Sequence, residues 1–322
     1  MVQADRMRKL AIVCGPTATG KTAFSVALAE AIGGEVVSAD SVSVYRGLDI
    51  GSAKPTAEEM HGIPHHMIDI LSPADAFSVS DYERLSLKAI DEIYARGHFP
   101  ILCGGTGFYI RSVVYSLSYG GTPENPQIRA KYAEMEREKG KDAVYGVLKS
   151  VDPETAAKLH PNDSVRVIRA LEIFESTGKK KSEIRDDMKP RFDAFAVMPV
   201  FPREELYRRI DSRVDDMIAR GLFEEVKGLI DAGVPETAQS MQAIGYKEFI
   251  PYLEGSASLE ECVERLKMES RRYAKRQMTW FRRNDKIKRI KADGKSSEEI
   301  FEEARALCEE FFKPELIWSI TY

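Results

Sequence analysis

A parallel β-sheet with helices on both faces, interrupted by an all-helical insertion, is the fold the sequence predicts. Three observations carry it. Short apolar runs alternate with amphipathic stretches at the spacing of β-α-β units. Each run ends in polar or glycine-rich text, which is where ligands bind in such sheets. Between residues 119 and 192 the text turns charged and helical, with no convincing strand.

The elements follow from local pattern. Leu10–Cys14 is an apolar run, read as a buried strand. Thr22–Ile32 is rich in alanine, with apolar residues at helical period, and Gly33-Gly34 stops it. Glu35–Ala39 is a second strand, ending at Asp40. Asp81–Arg96 places Leu85, Ala89 and Ile93 on one helical face. Phe99–Cys103 is a third strand that runs into Gly104-Gly105-Thr106-Gly107. Tyr119–Pro126, with its glycines and prolines, reads as a linker. Asp193–Val200 is strand-like and returns to the sheet, and Glu204–Ala219 and Leu259–Arg283 are long helical patterns. The expected division is a discontinuous core, 7–118 with 193–315, and an inserted helical domain, 119–192.

Composition removes several classes. At 322 residues the chain can bury a large core, and its apolar runs fall far short of the ~18 residues a membrane span needs. Residues 1–9 are charged and lead into a strand, so no signal peptide is expected and a cytoplasmic monomer is. Cys14, Cys103, Cys262 and Cys308 are scattered without C-x-x-C spacing, which fits reduced thiols rather than a zinc site. The net charge of −4 hides an asymmetry: Glu264–Arg289 holds eleven Lys/Arg against three Asp/Glu, a surplus of eight, so the remainder totals −12. Such local basicity points to an anionic partner.

Gly15, Pro16, Thr17, Ala18, Thr19, Gly20, Lys21 and Thr22 spell G-x-x-x-x-G-K-[ST], with a strand before and a helix after. Loop N–H groups and the helix dipole favour phosphate, Lys21 neutralises it, and the Thr22 hydroxyl is placed to hold Mg²⁺. The fold class is therefore α/β, with a P-loop NTPase-like parallel sheet. ATP and GTP are the usual ligands of this cradle, but the guanine-reading [NT]-K-x-D is missing, and another diphosphate ester fits equally well.

The string from Asp40 to Pro55 (DSVSVYRGLDIGSAKP) is more specific, as is Gly104-Gly105-Thr106 followed by Tyr109. With the phosphate loop they closely resemble the tRNA dimethylallyltransferases, also called tRNA isopentenyltransferases. The resemblance continues through His160-Pro161-Asn162-Asp163, Arg166 with Arg169, Ala243-Ile244-Gly245-Tyr246, and Ala274-Lys275-Arg276-Gln277 with Trp280. It covers nearly the whole chain in order.

The resemblance implies transfer of the dimethylallyl group from dimethylallyl diphosphate to N6 of adenine 37, beside the tRNA anticodon, with Mg²⁺ as cofactor. Asp40 would hydrogen-bond N6 and take its proton as general base. Lys21 and Arg213, in the pattern Arg209-Ile210-Asp211-Ser212-Arg213, would hold the leaving diphosphate. Thr106 completes the implied catalytic set, and the family places it against the tRNA. Asp40, Ser41, Val42, Ser43, Arg129, Val165, Arg166, Arg169, Gln242, Ala243, Gly245, Arg271, Lys275, Arg276 and Arg282 match positions that meet the anticodon stem-loop. One departure is Ser43, where the family often has Gln, so any reach from this side chain to a base edge is shortened.

Two further patterns have residue-level readings. His65-His66 point to opposite faces of a strand with no third ligand nearby, so they are read as structural. From Val263 onward, apolar or aromatic residues at 263, 266, 270–273, 277 and 280–281 are expected on a buried face. Lys267, Arg271, Lys275, Arg282 and Lys286 form a basic row suited to a phosphate backbone. An adenylate isopentenyltransferase would need neither this row nor the insertion. A P-loop kinase would need lid arginines and an acceptor pocket, and a non-catalytic RNA-binding ATPase would leave Asp40 and Thr106 without a purpose.

Overall fold

The computed structural model describes residues 7–319. In chain order the elements are β1 (Lys9–Cys14), α1 (Lys21–Ile32), β2 (Gly34–Ser38), β3 (His65–His66), α2 (Val79–Ala95), β4 (Phe99–Gly104) and α3 (Gly107–Val114). Then come α4 (Pro126–Lys139), α5 (Lys141–Val151), α6 (Pro153–Ala156) and α7 (Ser164–Thr177). The chain finishes with β5 (Asp193–Val200), α8 (Arg203–Ala219), α9 (Leu222–Asp231), α10 (Ile250–Leu253), α11 (Leu259–Arg282), β6 (Lys288–Lys291) and α12 (Ser297–Ser319).

The sheet has six strands in the order β3-β2-β4-β1-β5-β6, and every pairing is parallel. A parallel sheet buries both faces, which is why β1 and β2 are buried along their whole length. On one face Ala11, Val13, Val36, Ile101 and Val197 pack with Phe24 and Leu28 of α1 and Phe312 of α12. α2 packs against β2 and β4, and the buried Tyr82 hydroxyl donates to Ser38 O at 2.9 Å. The register aligns Cys14 with Gly104 and Ser38 with Cys103. The loops after β1, β2 and β4 therefore leave the same edge of the sheet.

Helix ends obey local rules. Gly33 caps α1 in the left-handed conformation. Ser78 with Asp81, and Ser258 with Glu261, form reciprocal capping boxes at the starts of α2 and α11. Residues Tyr115–Pro190 form a compact unit separate from the chain before and after them. That unit holds α4 to α7 around its own core of Tyr132, Val144, Leu148, Ala156, Val167, Ala170 and Leu171. Among the described residues no helix is long and apolar enough to cross a membrane.

Of the two adjacent histidines, His66 turns to Glu35, whereas His65 holds Ile63 O through Nδ1 at 2.8 Å and lies on a cavity wall. His66 and His98 approach Glu35 at 2.6 and 2.7 Å, and Arg96 donates to it at 2.9 and 2.6 Å. Glu35 is buried at the start of β2, and Arg96 first, then His66 and His98, outweigh the burial and hold its carboxyl at about 2. The folded-state value lies below the ordinary one, so this stabilisation is present above about pH 4.5 and is lost as pH falls towards 2. Glu35→Gln is expected to lower stability at pH 7, because it removes the buried carboxylate that accepts both hydrogen bonds of the half-exposed Arg96 guanidinium. Urea unfolding at pH 7 and pH 3 checks this: the gap between variant and wild type should narrow at the lower pH.

Candidate active site

The phosphate loop closes between β1 and α1. Gly20 adopts φ +78°, a left-handed conformation that favours glycine, and its carbonyl then accepts from Phe24 N–H. Thr19 Oγ1 and Lys21 Nζ both donate to Pro16 O, at 2.9 and 2.6 Å. Arg209 Nε donates to Ala18 O at 3.3 Å. Residues 17–22 of the loop line a cavity of about 710 Å³, while Gly15 and Pro16 lie behind its wall.

Asp40 lies on the same cavity, just beyond the end of β2. Its Oδ1 accepts Val42 N–H at 2.8 Å and Ser43 N–H at 3.2 Å, an Asx turn that fixes the plane of the carboxylate. Ser41, Val42 and Ser43 also line the cavity. Ser43 is buried and its hydroxyl is shared with Ser38 Oγ at 3.0 Å, so it is committed to the strand end.

Lys21 and Arg213 complete the electropositive side. Burial pulls the Lys21 ammonium down to about 8, with Arg213 acting the same way and Cys103 and Asp40 opposing. Burial also lowers Arg213, against the attraction of Asp40. Arg213 makes no hydrogen bond or ion pair within the described residues. A partly desolvated guanidinium without a counter-charge adds positive potential to this side of the cavity. Cys103 is only half-buried and lines the cavity, whereas Cys14 at the end of β1 is fully buried.

The remaining walls are held by residues whose roles the sequence did not reveal. Glu225 of α9 accepts the N–H groups of Asp49, Ile50 and Gly51 at 3.0, 2.7 and 3.1 Å, and the Tyr246 hydroxyl at 2.7 Å. This locks the Gly51–Pro55 stretch of the wall. Lys54, buried, donates to Tyr45 O at 2.9 Å and pairs with Asp49 and Asp69. Gln242 and Ala243 also line the cavity, and Gly245 packs on Gly51. A carboxylate that collects consecutive amides leaves no local mark in sequence, so Glu225 had no signal.

Thr106 does not line the cavity. Its N–H donates to Ala39 O at 3.1 Å, which places it immediately behind Asp40. The expected basic row on α11 divides in two. Arg271 pairs with Asp211 and Lys267 with Asp215, both on α8, so these two fasten helices together. Lys275, Arg276 and Arg282 are exposed, and Arg276 also reaches the cavity wall. The buried face differs from the expected one: it consists of Cys262, Leu266, Ala274, Gln277 and Phe281. Trp280, expected inside, is 40% exposed and stands edge-on to Phe108, because it falls one position off that stripe.

In the helical unit the four expected contacts also separate. Glu172 is fully buried and takes Arg129 at 2.9 Å together with Arg169. Arg169 further donates to the carbonyls of Tyr119 and Thr122, at 2.8 and 2.7 Å. These two guanidiniums hold the linker in place. Val165 and Arg166, at 81% and 74% exposure, face solvent at the start of α7.

A glycine-rich anion cradle facing a fixed carboxylate at the carboxyl edge of a parallel sheet defines a P-loop-type transferase of phosphate esters. Residues 43–284 match the family model described as IPP transferase. The tRNA dimethylallyltransferase of Geobacillus kaustophilus is 47% identical over 87% of this chain and 89% of its own. That of Pelotomaculum thermopropionicum is 44% identical over 96% and 99%. The crystal structure of the full-length tRNA isopentenylpyrophosphate transferase of Bacillus halodurans superposes with a TM-score of 0.72 at 41% identity, covering 98% and 100% of the two chains. A eukaryotic dimethylallyltransferase acting on tRNA gives a TM-score of 0.80 at 31% identity, over 95% and 80%. The chain belongs to the IPP transferase family.

Glu225→Ala frees three amides that a single carboxylate now gathers, and is expected to cost about 3 kcal/mol. Thermal unfolding should show the loss, and limited proteolysis should then cut within residues 46–55. An unchanged melting curve would mean that the loop holds itself.

Proposed function

We propose that this protein transfers the dimethylallyl group of dimethylallyl diphosphate to N6 of adenine 37 in tRNA, releasing diphosphate and leaving N6-dimethylallyladenosine. The observation that carries the reading is one cavity holding Lys21, an unpaired Arg213 and the oriented carboxylate of Asp40. The family's tRNA enzymes supply the acceptor.

The chemistry follows from that geometry. The N6 amine is a poor nucleophile because its lone pair is delocalised into the ring. It attacks the allylic carbon, the carbon–oxygen bond breaks, and the bonding electrons leave on diphosphate. Asp40 accepts a proton from N6 through the carboxylate oxygen left open by its Asx turn. Loop amides, Lys21 and Arg213 hold the charge that develops on the leaving group. Thr22, at the mouth of the cradle, suits Mg²⁺; among the described residues no cluster of three or more His, Cys, Asp or Glu exists to hold a metal. Thr22 and the diphosphate oxygens would hold the ion, as Mg²⁺ sites commonly do. When bound, Mg²⁺ neutralises leaving-group charge.

Adenine 37 must leave its stack to reach the cavity, at a cost of a few kcal/mol. Lys275, Arg276 and Arg282 on α11 supply phosphate contacts that offset it. In the helical unit Val165 is an exposed apolar side chain and Arg166 pairs with Asp163 at 3.1 Å. Arg129, Arg169 and Arg271 act on RNA through the structure they hold, since their charges are already paired.

Three measurements test this reading. With Mg²⁺ and labelled dimethylallyl diphosphate, label should enter bulk tRNA and not AMP; label in AMP alone, or a requirement for ATP, sinks it. Asp40→Ala should keep tRNA binding within about twofold and lower kcat by ~10³ or more. The Lys21 ammonium is protonated below about pH 8 in the free protein, and an anion stabilises that form. Dimethylallyl diphosphate should therefore bind with constant affinity up to about pH 8 and progressively more weakly above it.

A further inference from the structure

Gln277 lies on α11, 6% exposed, with both ends of its carboxamide engaged. Its Oε1 accepts Thr17 N–H of the phosphate loop at 3.0 Å. Its Nε2 donates to Gly105 O at 3.0 Å. Thr17 N–H can only donate and Gly105 O can only accept, so the orientation of the amide is fixed by its partners. The same cavity wall carries Tyr273 and Arg276 from this helix, so Gln277 sits among residues that face the substrates.

The glycines after β4 are shaped around this contact. A Cβ at Gly105 would stand 2.2 Å from Gln277 Nε2 and 3.2 Å from Gly15 O. A Cβ at Gly104 would stand 2.2 Å from Ala39 O. Thr106 N–H then donates to that same Ala39 carbonyl, and Ala39 precedes Asp40. A continuous path of short contacts thus runs from Thr17 through Gln277, Gly105-Thr106 and Ala39 to Asp40. One end of the path grips phosphate and the other holds the carboxylate.

We infer that Gln277 is a positioning residue for the transfer reaction: its carboxamide fixes the distance between the diphosphate cradle and the Asp40 side of the cavity. The inference rests on the prenyl-transfer reading above for its catalytic consequence, and on geometry alone for its effect on the cradle. A displacement in-line between acceptor and leaving group depends steeply on that distance; errors of about 1 Å cost ~10²-fold in rate. Gln277 does not touch the reacting atoms, and it acts through Thr17 and Gly105. The expected signature is therefore a fall in kcat with little change in the affinity for RNA.

Gln277→Leu removes both hydrogen bonds at similar volume. Gln277→Glu keeps an acceptor for Thr17 N–H and sets a carboxylate against Gly105 O. Steady-state kinetics with tRNA and dimethylallyl diphosphate should show kcat lowered about 30–100-fold in Gln277→Leu and KM for tRNA within about twofold. Gln277→Glu should weaken kcat less, since half the clamp remains. Calorimetric titration with inorganic diphosphate and Mg²⁺ should show binding weakened about fivefold or more in Gln277→Leu, whatever the acceptor proves to be. Unchanged diphosphate binding together with unchanged kcat overturns the inference. So does a defect confined to KM for tRNA, which would make Gln277 an RNA contact. If wild-type protein fails to alkylate tRNA but Gln277→Leu still weakens diphosphate binding about fivefold, the reaction assignment falls and the clamp stands. Circular dichroism melts of both variants identify misfolding, and an isosteric Gln277→Glu that folds and turns over like wild type also overturns the inference.

Discussion

The approach of backbone to backbone at the carboxyl ends of β2 and β4 is the constraint on which the site depends. Ala39 O sits where a side chain at residue 104 would begin. That closeness lets Thr106 N–H reach Ala39 and brings Asp40 to the same cavity as the loop after β1. Neighbouring parallel strands impose the rest, because their register puts Cys14, Gly104 and Ser38 at one edge. A carboxylate and a phosphate cradle from segments far apart in sequence thus face one another without any long side chain bridging the gap.

Charge is partitioned with equal economy. Cations that look alike in sequence fall into two populations. Arg96, Arg129, Arg169, Lys54, Lys267 and Arg271 are spent on internal carboxylates. Arg213 keeps its charge unpaired among the described residues, and Lys275 and Arg282 are exposed. Internal pairs orient loops and hold helices. The partition explains how a net acidic protein keeps exposed cations on α11: Asp211 and Asp215 of α8 take up Arg271 and Lys267 and leave Lys275 and Arg282 exposed.

Sequence pattern reached the fold through elements with strong periodicity. β1, α1, β2, β4, β5 and α11 lie within a residue or two of their expected ends; full burial marks β1 and β2, a left-handed Gly33 ends α1, and a capping box starts α11. β6 left none: it is an edge strand of four residues in which only Ile290 is buried, too short to show alternation inside a basic tract. At the site, motif residues were legible because their chemistry is local to a loop. Their supports were not. Glu225 and Gln277 act across long separations, Lys54 and Gln277 lay inside quoted motifs without a visible role, and Gly104 and Gly105 declared a close approach without naming what approaches. The basic row was legible as charge but not as geometry, since pairing with Asp211 and Asp215 is decided by how α8 meets α11. Trp280 shows the same limit, one helical position deciding whether an aromatic is core or surface.

The link between Thr17 and Gln277 spans 260 residues. During synthesis the chain emerges from its amino end, so the loop motif is complete long before its partner exists. β1 also waits, since its two neighbours in the sheet are β4 and β5. A nascent or truncated chain can therefore display the whole phosphate-binding signature and still lack the wall that shapes it. A fragment carrying only the motif lacks the wall that Tyr273, Arg276 and Gln277 of α11 contribute, so the motif by itself does not make the cavity.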